Sequence, residues 1–91
     1  MSNYTITNYT KKKATDLGVT VKPSKNPTKK IDVFKNGEKI ATVGAVNYKD
    51  YPTYIKLDGK PYADERRRLY KIRHKKDLHS GNGYWANKLL W

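Results

Sequence analysis

A chain of 91 residues makes one small domain with a thin core, and because only 36% of it is apolar, eight Tyr and two Trp must supply much of the core volume. The lack of cysteine excludes disulfides, thiolate zinc sites and cysteine nucleophiles, and no apolar run approaches the roughly twenty residues that span a bilayer. The net charge of +12 is segregated: residues 1–30 carry seven Lys against Asp16 for +6, residues 31–63 carry +1, and residues 64–91 carry eight basic side chains against three acids for +5.

Like charge gathered at both ends of a chain repels itself unless something neutralises it, so this pattern favours a polyanionic partner. The polar start MSNYTITNYT lacks the apolar centre of a signal peptide, so a soluble protein without a membrane partner is expected. Residues 1–91 read as a single domain in which 1–8 and 22–30 are flexible or exposed.

In chain order, Thr7 or Asn8 can cap a short helix, YTKKKATDL, that ends at Gly18. Val19 to Val21 reads as a strand, and Lys22 to Lys30 as a basic loop interrupted by two prolines. IDVFKNGEKIATV is a hairpin signature, since Asn36 and Gly37 tolerate the positive φ values of a type I′ turn. A two-residue loop sets Phe34 opposite Lys39, Val33 opposite Ile40 and Ile31 opposite Thr42. Alternation then places Ile31, Val33 and Ile40 on one face, and Phe34, Ala41 and Val43 on the other. Either helices cover both faces or Phe34 is exposed; coverage is the preferred reading.

Asp50 and Pro52 open a short helix that ends at Gly59. Pro61 begins the main helix, with Asp64 and Glu65 near its positive end, and the pattern predicts that it runs to about Asp77. Gly81 and Gly83 are expected to break it, and YWANKLLW to form a last helix closing on the core through Trp85, Leu89 and Trp91.

The main helix holds ERRRLYKIRHKK, seven Lys or Arg in twelve residues. On a helical wheel Leu69 and Ile72 form an apolar stripe, predicted to face the core, while Arg67, Arg68, Lys71, His74 and Lys75 fall opposite. Arg66, Arg73 and Asp77 fall beside the stripe and read as a structural trio. A surface helix ordinarily mixes both signs of charge, whereas this outer face holds four permanent cations and one His without an acid. The choice lies between a solvated face and a phosphate-binding one, and phosphate binding is favoured, with a log–log salt slope of about −4 to −5 and little base readout. Lys11, Lys12 and Lys13, with Lys29 and Lys30, either extend the basic surface, act in nuclear import, or are simply solvated. Phe34, Tyr48, Tyr51 and Tyr84 are the candidates for base stacking, although a core role is the stronger reading for each.

Enzymatic signals are weak. His74, Asp77 and His79 are the only local cluster of metal-ligand types, no pair of convergent carboxylates suits a nuclease, and Ser80 beside His79 has no orienting acid. No enzyme activity, cofactor or metal is expected.

The segments KIDVFKNGEKIATVGA, YKDYPTY, YADERRRLYKIRHKKD and GYWANKLLW together resemble a family of small basic proteins encoded by large double-stranded DNA viruses of eukaryotes. The likeness covers roughly Asn8 to Trp91, and its most particular part is the C-terminal order of Arg-rich helix with RH, Gly turn and terminal LLW. It implies a viral origin and a compact domain, with no catalytic residues to carry over.

The expectation is therefore an α+β domain with a short N-terminal helix, a small antiparallel sheet built on the hairpin, and C-terminal helices packed on the sheet. Its expected function is non-enzymatic binding or condensation of viral DNA, in the virion or in the host cytoplasm or nucleus. The alternative is a minor capsid or scaffold protein whose basic face docks on an acidic coat-protein surface. Strand number, base preference and oligomeric state are left open.

Overall fold

The computed structural model describes residues 4–79 and 81–91. It is an α+β fold in the order α1 (Asn8–Leu17), β1 (Thr20–Pro23), β2 (Lys29–Lys35), β3 (Glu38–Ala45), α2 (Tyr51–Asp58), α3 (Lys60–Arg73), a 3-10 turn (Lys75–Asp77) and α4 (Gly81–Leu90). The three strands form an antiparallel sheet in sequence order. Residues 1–3 of the expected flexible start lie outside the described residues, as does Ser80.

Helix α1 begins where the Thr7 hydroxyl accepts the Thr10 N–H at 3.2 Å, and it ends at Gly18, whose N–H returns to the Thr15 carbonyl. Its inner face is Thr10 and Ala14, both buried. The Thr10 hydroxyl donates to the Leu89 carbonyl at 2.8 Å and the Tyr9 hydroxyl to the Trp91 carbonyl at 3.1 Å, so the two ends of the chain are stitched together.

The hairpin turns at Asn36 (φ 54°) and Gly37 (φ 81°), both in the left-handed region as the Asn-Gly pair predicts. The register departs from the simple count. Phe34 pairs with Lys39 as expected, but the next pairs are Val33 with Ala41 and Ile31 with Val43, because a bulge falls at Val33 and Phe34 and leaves Ile40 over. The extra residue moves Ala41 and Val43 onto the face of Ile31 and Val33 and leaves Ile40 exposed. The resulting core joins Ile31, Val33, Ala41 and Val43 to Ala14, Val19, Leu89 and Leu90. Burying each of the larger aliphatic side chains contributes about 1.5 to 3 kcal/mol.

Both helices of that core, α1 and α4, lie on the Ile31 face, so the expectation of helices over both faces gives way to one-sided cover. The opposite face is organised by polar groups. Asp32 is buried there and accepts from Ser24 Oγ (2.7 Å), Thr42 Oγ1 (2.9 Å) and the Lys25 N–H (3.3 Å), while Phe34 lies half-buried with the Lys22 ammonium 5.4 Å from its ring.

Asp50 caps α2 through the Thr53 N–H and hydroxyl. Helix α3 then presents Ala63, Arg66, Arg67, Tyr70 and His74 inward, with Ala63 fully buried and the others partly so. Leu69 and Ile72 instead stand 36% and 61% exposed, which reverses the predicted stripe. The reason is aromatic: Tyr70 stacks on Trp91 at 4.3 Å and 8°, and the guanidiniums of Arg67 and Arg66 lie over Tyr51 and Tyr54 at 4.1 and 5.6 Å. Rings and long basic stems carry the apolar payload that a hydropathy wheel assigns to Leu and Ile.

Helix α3 stops at Arg73, four residues short of the predicted end, and a 3-10 turn leads toward α4. The predicted trio of Arg66, Arg73 and Asp77 does not form among the described residues; Asp77 Oδ2 lies instead 4.0 Å from His74 Nδ1. Gly81 and Gly83 begin α4 instead of merely breaking α3. A β-carbon at Gly83 would run into the Asp77 carbonyl, so glycine permits the turn and α4 to meet backbone to backbone.

Candidate nucleic-acid interface

The predicted basic residues separate into four environments. Lys30 is structural. It is 3% exposed, and its ammonium lies 3.1 Å from Asp50 Oδ2, which also accepts the Tyr4 hydroxyl at 2.5 Å. Burial pulls the Lys30 pKa down while Asp50 pushes it back up, and the net direction is down. Lys30 is therefore withdrawn from the candidate surface, and the basic stretch 22–30 is only partly exposed, because Ser24 is buried as well. Lys29 is half-buried in β2.

Arg68 is exposed but paired. Its Nε and one terminal nitrogen donate to the two Glu65 carboxylate oxygens at 3.0 and 2.5 Å, so its charge is matched within the molecule. Lys11, Lys12 and Lys75 are exposed, the first two on α1 and the third in the 3-10 turn. The His74 ring lies tilted against Tyr70 at a centroid distance of 4.5 Å, and His74 lines a cleft together with Arg66 and Arg73.

The fourth environment brings cations together. Lys71 has its pKa lowered, first by partial desolvation and then by the like charges of Arg67, Lys13 and Lys88. Lys71 thus feels like charges from α1, from its own helix and from α4. Arg67 is held there by Tyr51, whose hydroxyl donates to Asp64 at 2.6 Å, and Asp64 Oδ1 lies 3.6 Å from the Arg67 guanidinium. The Tyr51 hydrogen bond is the largest influence lowering the Asp64 pKa, and Lys60 adds to it. Tyr9 packs against Tyr51 at 5.5 Å, with Lys13 5.4 Å from the Tyr9 ring, and Lys88 lies 5.8 Å from the Tyr84 ring. Aromatic faces therefore hold three of the four cations in place.

Sequence reasoning found Lys13, Arg67 and Lys71 but missed Lys88. The available signal was that Lys88 is the one charged residue of α4 and follows Tyr84 by a single helical turn. Of the stacking candidates, Tyr51 is buried, Phe34 and Tyr84 are half-buried, and Tyr48 is 75% exposed.

Among the described residues no cluster of three or more His, Asp or Glu can hold a metal ion, and no helix is long and apolar enough to cross a membrane. No family model, curated protein or solved structure matches the chain.

Proposed function

We propose that this protein is a non-enzymatic nucleic-acid-binding protein that holds the phosphate backbone through Lys13, Arg67, Lys71 and Lys88. The observation that carries this reading is that three like charges, Arg67, Lys13 and Lys88, drawn from three separate helices, act on Lys71. Such crowding costs stability in the isolated protein, and a polyanion removes the cost by placing phosphates among the charges. Binding is expected to be indifferent to base sequence, because ammonium and guanidinium contacts to phosphate fix position without reading base edges.

The proposed setting is the virion of a large DNA virus or the cytoplasm or nucleus of its host, with compaction or attachment of the genome as the consequence. What supports that setting is the resemblance of the C-terminal segments.

The test is a titration of duplex DNA, single-stranded DNA and an acidic protein at several salt concentrations, with wild type and the Lys13→Gln, Lys71→Gln, Lys88→Gln triple variant. Four phosphate contacts give a log–log salt slope of about −3.6 on duplex DNA. The triple variant should lose most of that slope. Equal DNA affinity in variant and wild type would overturn the assignment, and tighter binding of the acidic protein than of DNA would favour the capsid-docking alternative.

A further inference from the structure

On the other edge of α3 from Arg67 and Lys71, a cleft of about 500 Å³ opens between α3, the end of β3 and the last turn of α4. Its floor is Tyr70, Leu90 and Trp91, and its rim carries Tyr48, Arg66 and Arg73. His74 stands where this cleft meets a neighbouring depression of about 360 Å³. The volume falls in the range of small-molecule sites, which are mostly apolar with a few placed polar groups.

The charges of the cleft are not equivalent. Lys30 is spent on Asp50, and Lys49 lies 3.8 Å from Asp58. Arg66 and Arg73, by contrast, have no carboxylate in ion-pair distance among the described residues. Two unneutralised guanidiniums at the mouth of an aromatic-floored cleft call for a ligand that is anionic at one end and flat and apolar at the other. Tyr48, 75% exposed at the rim, is a large ring with little packing to justify its place.

From this geometry we infer that the cleft receives a single nucleotide unit, its phosphate on Arg66 and Arg73 and its base against Tyr48. The ligand is a nucleoside phosphate, either free or as one residue of a single strand. The inference goes beyond the polymer-binding surface and draws on it only in choosing a nucleotide among anionic aromatic ligands. Guanidinium forks match phosphate oxygens in pairs, and a base stacks on an aromatic ring whatever its sequence.

The experiment follows Trp91 fluorescence in a Trp85→Phe protein, which leaves Trp91 as the single indole. The probes are a nucleoside monophosphate, the unphosphorylated nucleoside and inorganic phosphate. Two short single strands, one with a 5′ phosphate and one without, separate a free nucleotide from a strand end. The monophosphate should perturb Trp91 and bind about tenfold or more tighter than either half alone, because stacking and charge act together. Arg73→Gln and Tyr48→Ala should each weaken it by about tenfold; both side chains are exposed, so the fold is retained. Inorganic phosphate binding as tightly as the nucleotide, or unchanged nucleotide affinity in both variants, would overturn the inference. The Lys13, Lys71, Lys88 triple variant keeps the two readings apart: it should lose duplex binding and retain the nucleotide. Loss of nucleotide binding in that variant would also overturn the cleft assignment, because those side chains lie outside the cleft.

Discussion

The Lys30 ammonium lies 3.1 Å from Asp50 Oδ2, and both side chains are almost wholly removed from water. Asp50 is at once the cap of α2, the acceptor for Tyr4 and the partner of β2, so one carboxylate ties the N-terminal segment, the sheet and the second helix together. Removing one partner of such a pair leaves the other charge buried and unmatched. Lys30→Met should therefore lower stability by about 3 kcal/mol, read by urea unfolding. The DNA affinity of the folded protein should stay at the wild-type value. A loss of DNA affinity as large as that of Lys71→Gln would return Lys30 to the binding surface.

Lys71 shows the opposite balance. Its folded-state pKa is lowered, so protonating it is harder in the folded than in the unfolded chain. The charged form is accordingly unfavourable to folding below the folded pKa, and the penalty is relieved as pH rises from there toward the unfolded value. Lys71→Gln should leave stability at pH 7 unchanged or raise it by up to about 0.5 kcal/mol, the scale of an exposed charge interaction. The same substitution should weaken duplex binding and reduce the salt slope by about 0.9. A variant that melts well below wild type would show that Lys71 is a structural residue.

The two sides of α3 differ in what they contribute to packing. Ile72 is 61% exposed whereas Leu89 is fully buried in the main core. Ile72→Ser should change stability by less than about 0.5 kcal/mol, and Leu89→Ala should cost about 2 to 5 kcal/mol, both read by thermal and urea unfolding. A large loss at Ile72 would restore the apolar stripe that the helical wheel predicts.

Much of this fold is legible in the sequence because local chemistry decides it. Thr7, Asp50 and the Asn36-Gly37 pair each satisfy or shape the backbone within a few residues, and the structure places a cap or a turn at each. The misreadings share a different cause, contacts between distant residues. Ile40 leaves the core because a bulge shifts the pairing by one, and nothing in the alternation of β3 marks it. Helix α3 turns its aromatic and arginine face inward because Trp91, twenty-one residues beyond Tyr70, is there to stack on it. Lys30 is buried because Asp50 lies across from it, a pairing that charge counting treats as two exposed groups. The proposed binding surface was legible to the same extent: Arg67 and Lys71 share a helix edge in the sequence, but the influence of Lys13 and Lys88 on Lys71 depends on how three helices pack.

Asp32 should make the stability of the fold depend on pH in the acid range. Burial alone would raise its pKa, but hydrogen bonds from Ser24, Thr42 and the Lys25 N–H, with the charge of Lys39, outweigh burial and hold the carboxyl below its ordinary value. A carboxyl whose folded pKa is depressed stabilises the protein above its unfolded pKa of about 4, and that contribution is lost as pH falls through the folded value. Asp32→Asn puts an amide N–H where the Lys25 N–H now finds an acceptor and removes the charge. It should cost about 2 kcal/mol at pH 7, in the range of hydrogen bonds to a charged group. The difference from wild type should then shrink steadily below about pH 4, because wild type loses the same interaction by protonation. Urea unfolding of both proteins from neutral to strongly acid pH makes the comparison. Curves that stay parallel through the acid range would mean that the Asp32 charge does not stabilise the sheet, and that its hydrogen bonds act as they would for any neutral acceptor.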